Sequence, residues 1–118
     1  MNENEISKIV VDAGLKVHRT LGPGLLESAY EACLYHELCS RHLQVEKQKP
    51  LPLIYEGVIL EAGYRIDLLV ENKLIIEIKS ADSLHPLHEA QLLTYLKVSN
   101  CKLGLLMNFN TVLFKDGV

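Results

Sequence analysis

Apolar positions change their spacing three times along the chain. Ile6, Ile9, Val10, Ala13, Val17 and Leu21 fall at i, i+3, i+4 and i+7, the stripe of an amphipathic helix over residues 4–20. Gly22-Pro23-Gly24 ends it, because proline cannot continue a helix and glycine tolerates the turn. A second helical pattern covers about Leu26 to His42, with Leu26, Ala29, Tyr30, Cys33, Leu34 and Leu38 on its apolar side. The short link predicts that these two helices lie against each other.

From Leu43 the spacing shortens. Val45 to Tyr55 reads as short extended segments, and Pro50 and Pro52 confine that stretch to an edge or a strand start. Glu56-Gly57 is a tight turn, Val58 to Leu60 begins another strand, and Gly63 to Val70 continues extended. Leu74 to Lys79 is rich in β-branched residues, so a hairpin is expected, closing on Glu71-Asn72-Lys73 with Val70 paired to Leu74. Helical spacing returns over 87–99, with Leu87, Ala90, Leu93 and Leu96 on one side and His85-Pro86 at its start. Leu103 to Phe109 reads as a buried strand and Thr111 to Phe114 as a short final one. The order is roughly α-α-β-β-β-α-β. A helix crossing between two strands favours a parallel pair, so a mixed sheet flanked by helices is expected, an α/β architecture.

The chain has 118 residues, 48% of them hydrophobic and 23% charged, which fits one domain spanning 1–118 and excludes a disordered or low-complexity chain. No apolar run approaches the ~20 residues of a membrane span, and the polar start does not read as a signal peptide. Cys33, Cys39 and Cys101 form no CxxC motif, so a reduced, cytoplasmic protein is expected. The net charge of −3 argues against nucleic-acid binding by phosphate neutralisation alone.

The candidate chemistry lies in the hairpin. Alternation turns Ile76 and Ile78 to one face and Ile75, Glu77 and Lys79 to the other. With Val70 opposite Leu74, Asp67 falls opposite Glu77. Two carboxylates at one point of a sheet repel each other unless a cation or a proton sits between them, and they suit a hard divalent ion such as Mg²⁺. The spacing alone is weak, since an acid-x-Lys triplet is expected about once by chance in such a composition. The competing reading is that Glu77 and Lys79 cover the solvent face of an edge strand. On the following helix, Gln91 and Tyr95 are four apart and share a face, within reach of a carboxylate or a phosphate.

Asp67, Glu77-Ile78-Lys79 and Gln91-Leu-Leu-Thr-Tyr95 together resemble the PD-(D/E)XK nuclease superfamily, in the branch with the QxxxY helix of RecB-type nucleases. Gly24-Leu-Leu-Glu27-Ser-Ala-Tyr30 is similar to the GxxExxY protein family within that superfamily, as are Tyr64 to Val70 and Leu103 to Phe109. The likeness runs from about Ile6 to Phe114. It implies a restriction-endonuclease-like fold and a Mg²⁺-dependent phosphodiesterase, with Mn²⁺ as a substitute ion and DNA in preference to RNA as substrate. Many nucleases of this fold work as dimers, so a homodimer is expected. The resemblance makes Asp67 and Glu77 metal-ligand acids, the Ile78 carbonyl a further ligand and Lys79 the catalytic lysine. Glu27 would reach the metal directly or through water, and Gln91 and Tyr95 would support the site from the helix. Ile66 stands where many members carry proline. The alternative is a catalytically silent nuclease-fold module that binds or regulates as a homodimer.

Other clusters read more plainly. His85, His88 and Glu89 lack the HExxH spacing of a zinc site, Cys33, His36, Cys39 and His42 drift around their helix, and Gly22-Pro23-Gly24 lacks the ending of a phosphate loop.

Overall fold

A computed structural model describes all 118 residues. Helices α1 (Glu3–Leu21) and α2 (Glu27–Ser40) precede strands β1 (Val45–Pro50), β2 (Leu53–Tyr55), β3 (Val58–Leu60), β4 (Arg65–Val70) and β5 (Leu74–Lys79). Helix α3 (Pro86–Ser99), strand β6 (Leu103–Asn108) and a closing 3₁₀ turn (Phe114–Gly117) follow. No helix is long and apolar enough to cross a membrane.

Four strands form one sheet in the order β1-β4-β5-β6. β4 is antiparallel to β1 and β5, whereas β5 and β6 run parallel across the α3 crossover. The sheet is therefore mixed, as the helix between β5 and β6 requires. β2 and β3 pair only with each other, around Glu56 and Gly57 at positive φ, as a separate hairpin with exposed apolar side chains.

The sheet is the middle of three layers. Ile6, Val10, Ala13 and Val17 of α1 and Tyr30, Leu34 and Leu38 of α2 bury one face, against Leu68, Val70, Leu74, Ile76 and Ile78. Leu92 and Tyr95 of α3 pack on the other face, against Leu69 and Ile75. Because β5 has a strand on each side and a helical layer on each face, all its residues but Lys79 are buried.

Two expectations change. Thr111 to Phe114 forms no strand; Phe114 instead opens the 3₁₀ turn and packs against Phe109, and His18 reaches over to the Thr111 carbonyl at 2.7 Å. The buried side of α3 is Leu92 and Tyr95, while Leu87 and Leu93 are exposed. Polar and apolar residues are spread around α3, so its sequence marks no inner face, and the sheet selects one.

Candidate active site

The β4–β5 ladder closes on Val70↔Leu74 and runs to Leu68↔Ile76, one residue short of Asp67 and Glu77. There two carboxylates replace the backbone pairing. The Asp67 N–H donates to Glu77 Oε2 at 2.9 Å, and the Ile78 N–H donates to Asp67 Oδ2 at 2.8 Å. Each acid thus holds a backbone amide on the opposite strand. Glu77 is only 4% exposed and lies on a central strand, so the reading of an exposed edge strand does not hold. Burial pushes its carboxyl up to about 7; the bond from Asp67 N–H and the charge of Lys79 pull it down, while the charges of Asp67 and Glu31 add to the rise.

Glu27 is the first residue of α2, and its Oε1 accepts from the Ser80 N–H at 3.3 Å, just past Lys79. The segment after β5 is anchored again where Asn108 exchanges two hydrogen bonds with Ala81, at 3.1 and 3.0 Å. Tyr30, which shares the motif with Glu27, does not face the acids. It is fully buried, stacks on Phe109 and donates its hydroxyl to the Gly22 carbonyl, fixing the turn that aims α2.

Two residues join the site without having been singled out from the sequence. The Gln48 amide donates to Glu31 Oε1 at 2.6 Å and to Asp67 Oδ1 at 3.2 Å, so one side chain bridges two acids. Gln48 sits at φ 51°, where the β1–β4 register skips the Gln48–Asp67 position. A non-glycine residue there costs energy and persists only where the surroundings enforce it. Burial raises the Glu31 carboxyl, the bond from Gln48 opposes this, and the charge of Asp67 adds to the rise. Glu27 and Glu31 are four apart on α2, a spacing that would have placed both on one face.

Tyr95 reaches the same end of the sheet from α3. Burial pushes its hydroxyl up to about 12, with the charge of Glu77, the neighbouring Tyr64 hydroxyl and the charge of Asp67 contributing after it. Gln91 lines a cavity of about 340 Å³ together with Tyr95 and Tyr64. The structure therefore brings together Asp67, Glu77, Lys79, Glu27 and Tyr95 and sets Gln91 one helical turn to the side. His85 and His88 are used differently: they cap α3, His85 accepting from Leu87 N–H and His88 from His85 N–H, both at 3.1 Å.

No three His, Cys, Asp or Glu side chains converge with metal-ligand spacing, because the carboxylates turn toward backbone amides and Gln48. The donors nevertheless fit a hard divalent cation. They are carboxylate oxygens, and they concentrate negative charge around Glu77, whose burial disfavours its ionisation.

A family model described as the PD-(D/E)XK nuclease superfamily matches residues 4–118. No curated protein and no solved structure matches the chain at a significant level. Members of this superfamily generally use divalent metal ions. With nearly its whole length matched, and with its acids and lysine on a mixed sheet between helical layers, this chain belongs to the PD-(D/E)XK nuclease superfamily.

Proposed function

We propose that residues 1–118 act as a single-domain phosphodiesterase that hydrolyses DNA in the cytoplasm with Mg²⁺, or Mn²⁺ in its place. Its subfamily would be the GxxExxY proteins, as the Gly24–Tyr30 motif argues. The observation that carries the reading is the hydrogen-bonded pair of half-buried Asp67 and buried Glu77, with Lys79 following Glu77 on a central strand. A purely structural role does not call for an acid pushed up to about 7 in the middle of a sheet, since an apolar residue there would avoid the cost of burying charge.

Asp67, Glu77 and the Ile78 carbonyl would hold the ion, with Glu27 contributing from the start of α2. When bound, the ion would offset the charge of the phosphodiester and make a water a better nucleophile. Lys79 follows Glu77 on the same strand face, where its ammonium would balance phosphate charge and orient the attacking water. Gln48 fixes the Asp67 carboxylate through its 3.2 Å bond, and buried Tyr95 would support the site from α3.

A nuclease assay with Mg²⁺ or Mn²⁺ tests this: wild type cleaves DNA, and Asp67→Ala and Glu77→Ala do not. If those variants behave as wild type, the assignment fails. The second reading is a silent, homodimeric binding or regulatory module. It is favoured by the acidic cluster of Glu27, Glu31, Asp67 and Glu77, which would repel a DNA backbone unless a cation intervenes. Calorimetric titration separates the two: ion binding lost in Glu77→Ala supports the enzyme, and no binding at millimolar ion supports the module.

A further inference from the structure

We propose that Ser80 and Asn108 are positioning residues: together they form a latch that holds Glu27 ready for the divalent ion. The proposal rests on the ion-binding part of the phosphodiesterase reading, but its place in the fold rests on hydrogen bonds outside the Asp67–Glu77 pair.

Glu27 opens α2, and that helix start is weakly held by its own residues. The cap residue Leu26 makes no side-chain hydrogen bond to the first turn. Leu25 and Leu26 are 41% and 76% exposed, so little apolar packing pins them. Ser80 supplies two ties from the end of β5. Its hydroxyl donates to the Leu25 carbonyl at 2.5 Å, and its N–H donates to Glu27 Oε1 at 3.3 Å. The second bond orients the carboxylate and leaves Oε2 open to an ion.

Ser80 is itself held from the neighbouring strand. Asn108 lies opposite Lys79 in the parallel β5–β6 register, and it is only 2% exposed. Its amide donates to the Ala81 carbonyl at 3.0 Å and accepts from the N–H groups of Ala81 at 3.1 Å and Asn110 at 3.2 Å. The Phe109 N–H donates to the Lys79 carbonyl at 3.0 Å. Three consecutive residues are therefore fixed, Lys79 and Ala81 by β6 and its exit, and Ser80 by α2. A buried amide satisfied on both sides has one arrangement, so the path of the chain out of β5 is set.

The latch thus fastens the first turn of α2 to the strand that carries Glu77 and Lys79. Glu27 also sits on the side of α2 that faces the sheet acids: its charge is felt at Glu31, and Glu31 shares Gln48 with Asp67. Removing a group that orients an ion ligand from behind typically weakens ion binding by about ten- to a hundredfold.

Calorimetric titration with Mn²⁺ tests the latch. Ser80 is half-buried, so Ser80→Ala should fold, and circular dichroism checks this. Ser80→Ala should weaken Mn²⁺ binding by about tenfold, and Asn108→Ala should do the same. Glu27→Gln lowers the affinity without abolishing it, since Asp67 and Glu77 remain. In that background neither substitution should weaken binding further, whereas a merely structural role would give the same loss with or without Glu27. Wild-type affinity in Ser80→Ala, or losses that persist undiminished in Glu27→Gln, overturns the proposal. Hydrolysis of bis(4-nitrophenyl) phosphate with Mn²⁺ reports the chemistry separately. Glu27-dependent losses without hydrolysis sink the phosphodiesterase reading and keep the latch. Hydrolysis with an unchanged Ser80→Ala affinity does the reverse, and a wild type that binds no Mn²⁺ sinks both.

Discussion

Asp67 and Glu77 hold each other's strands. Glu77 accepts the amide of Asp67 at 2.9 Å, and Asp67 accepts the amide of Ile78 at 2.8 Å, where the β4–β5 ladder has already ended. The acids are thus structural fasteners as well as candidate ion ligands, and their substitution should separate the two roles. Asp67→Ala orphans one buried amide, costing about 1–3 kcal/mol, against the ~5–15 kcal/mol that stabilises a typical domain. The variant should stay folded by circular dichroism, melt earlier and lose cleavage by at least about a hundredfold. Retained activity in a folded variant would remove Asp67 from the chemistry.

Glu77 makes stability fall with rising pH. In the native chain its carboxyl keeps a proton to about 7, against the ordinary value of 4.5. Between those values the native state binds more protons than the unfolded chain, so each rise in pH favours unfolding. The penalty is absent below about 4.5 and fully developed above about 7, and it amounts to ~3 kcal/mol across the window. Thermal melts of the metal-free chain should show this decline, and Glu77→Gln should flatten it. An unchanged slope in Glu77→Gln would place the titration elsewhere.

Divalent-ion affinity should rise over the same interval, because the ion competes with the proton on Glu77. Calorimetry with Mn²⁺ at pH 6 and pH 8, two values on either side of that titration, should give the tighter binding at the higher one. Equal affinity at both would mean that the ion does not engage this carboxylate.

Gln48 is the only donor that reaches both Glu31 and Asp67. Gln48→Leu keeps the bulk but removes the amide, leaving two acids to face each other. The expected cost is about 1 kcal/mol in stability, with roughly a tenfold loss of cleavage from the misdirected Asp67 carboxylate. Gln48→Glu, which adds a third negative charge, should be worse on both counts. A Gln48→Leu variant with wild-type rates would show that the bridge does not orient Asp67.

Gly104 sets how closely α3 approaches the sheet. A Cβ at this position would meet Leu92 Cδ1 at 2.8 Å and Cγ at 3.1 Å. Gly104→Val should destabilise the fold by about 1–3 kcal/mol and push Tyr95 away from Glu77. Denaturant unfolding measures the first effect, and a loss of DNA cleavage with Mn²⁺ measures the second.

The acids were legible because hairpin arithmetic is local. Glu71-Asn72-Lys73 supplies the turn, with Glu71 and Asn72 at positive φ, so the Val70↔Leu74 pair brings Asp67 level with Glu77. Helix α1 was equally clear, since one face is apolar and the other polar. Gln48 was not, because β1 is a polar edge strand whose irregular backbone has no local signature. The inner side of α3 was not legible either, as leucines surround the helix and only the sheet decides which are covered.

By itself, the order of residues determined the α/β class, the hairpin register and the carboxylate pair, because period and turn length act between neighbours. The tertiary structure decided the rest. It placed β5 between two strands and two helical layers, so that a charged strand face became a buried acid pushed up to about 7. It also brought Glu31 and Gln48 to Asp67, and Tyr64 to Tyr95, across separations that no local spacing records. Burial and long-range contact are properties of the whole packed chain, and they convert a weak acid-x-Lys triplet into a site.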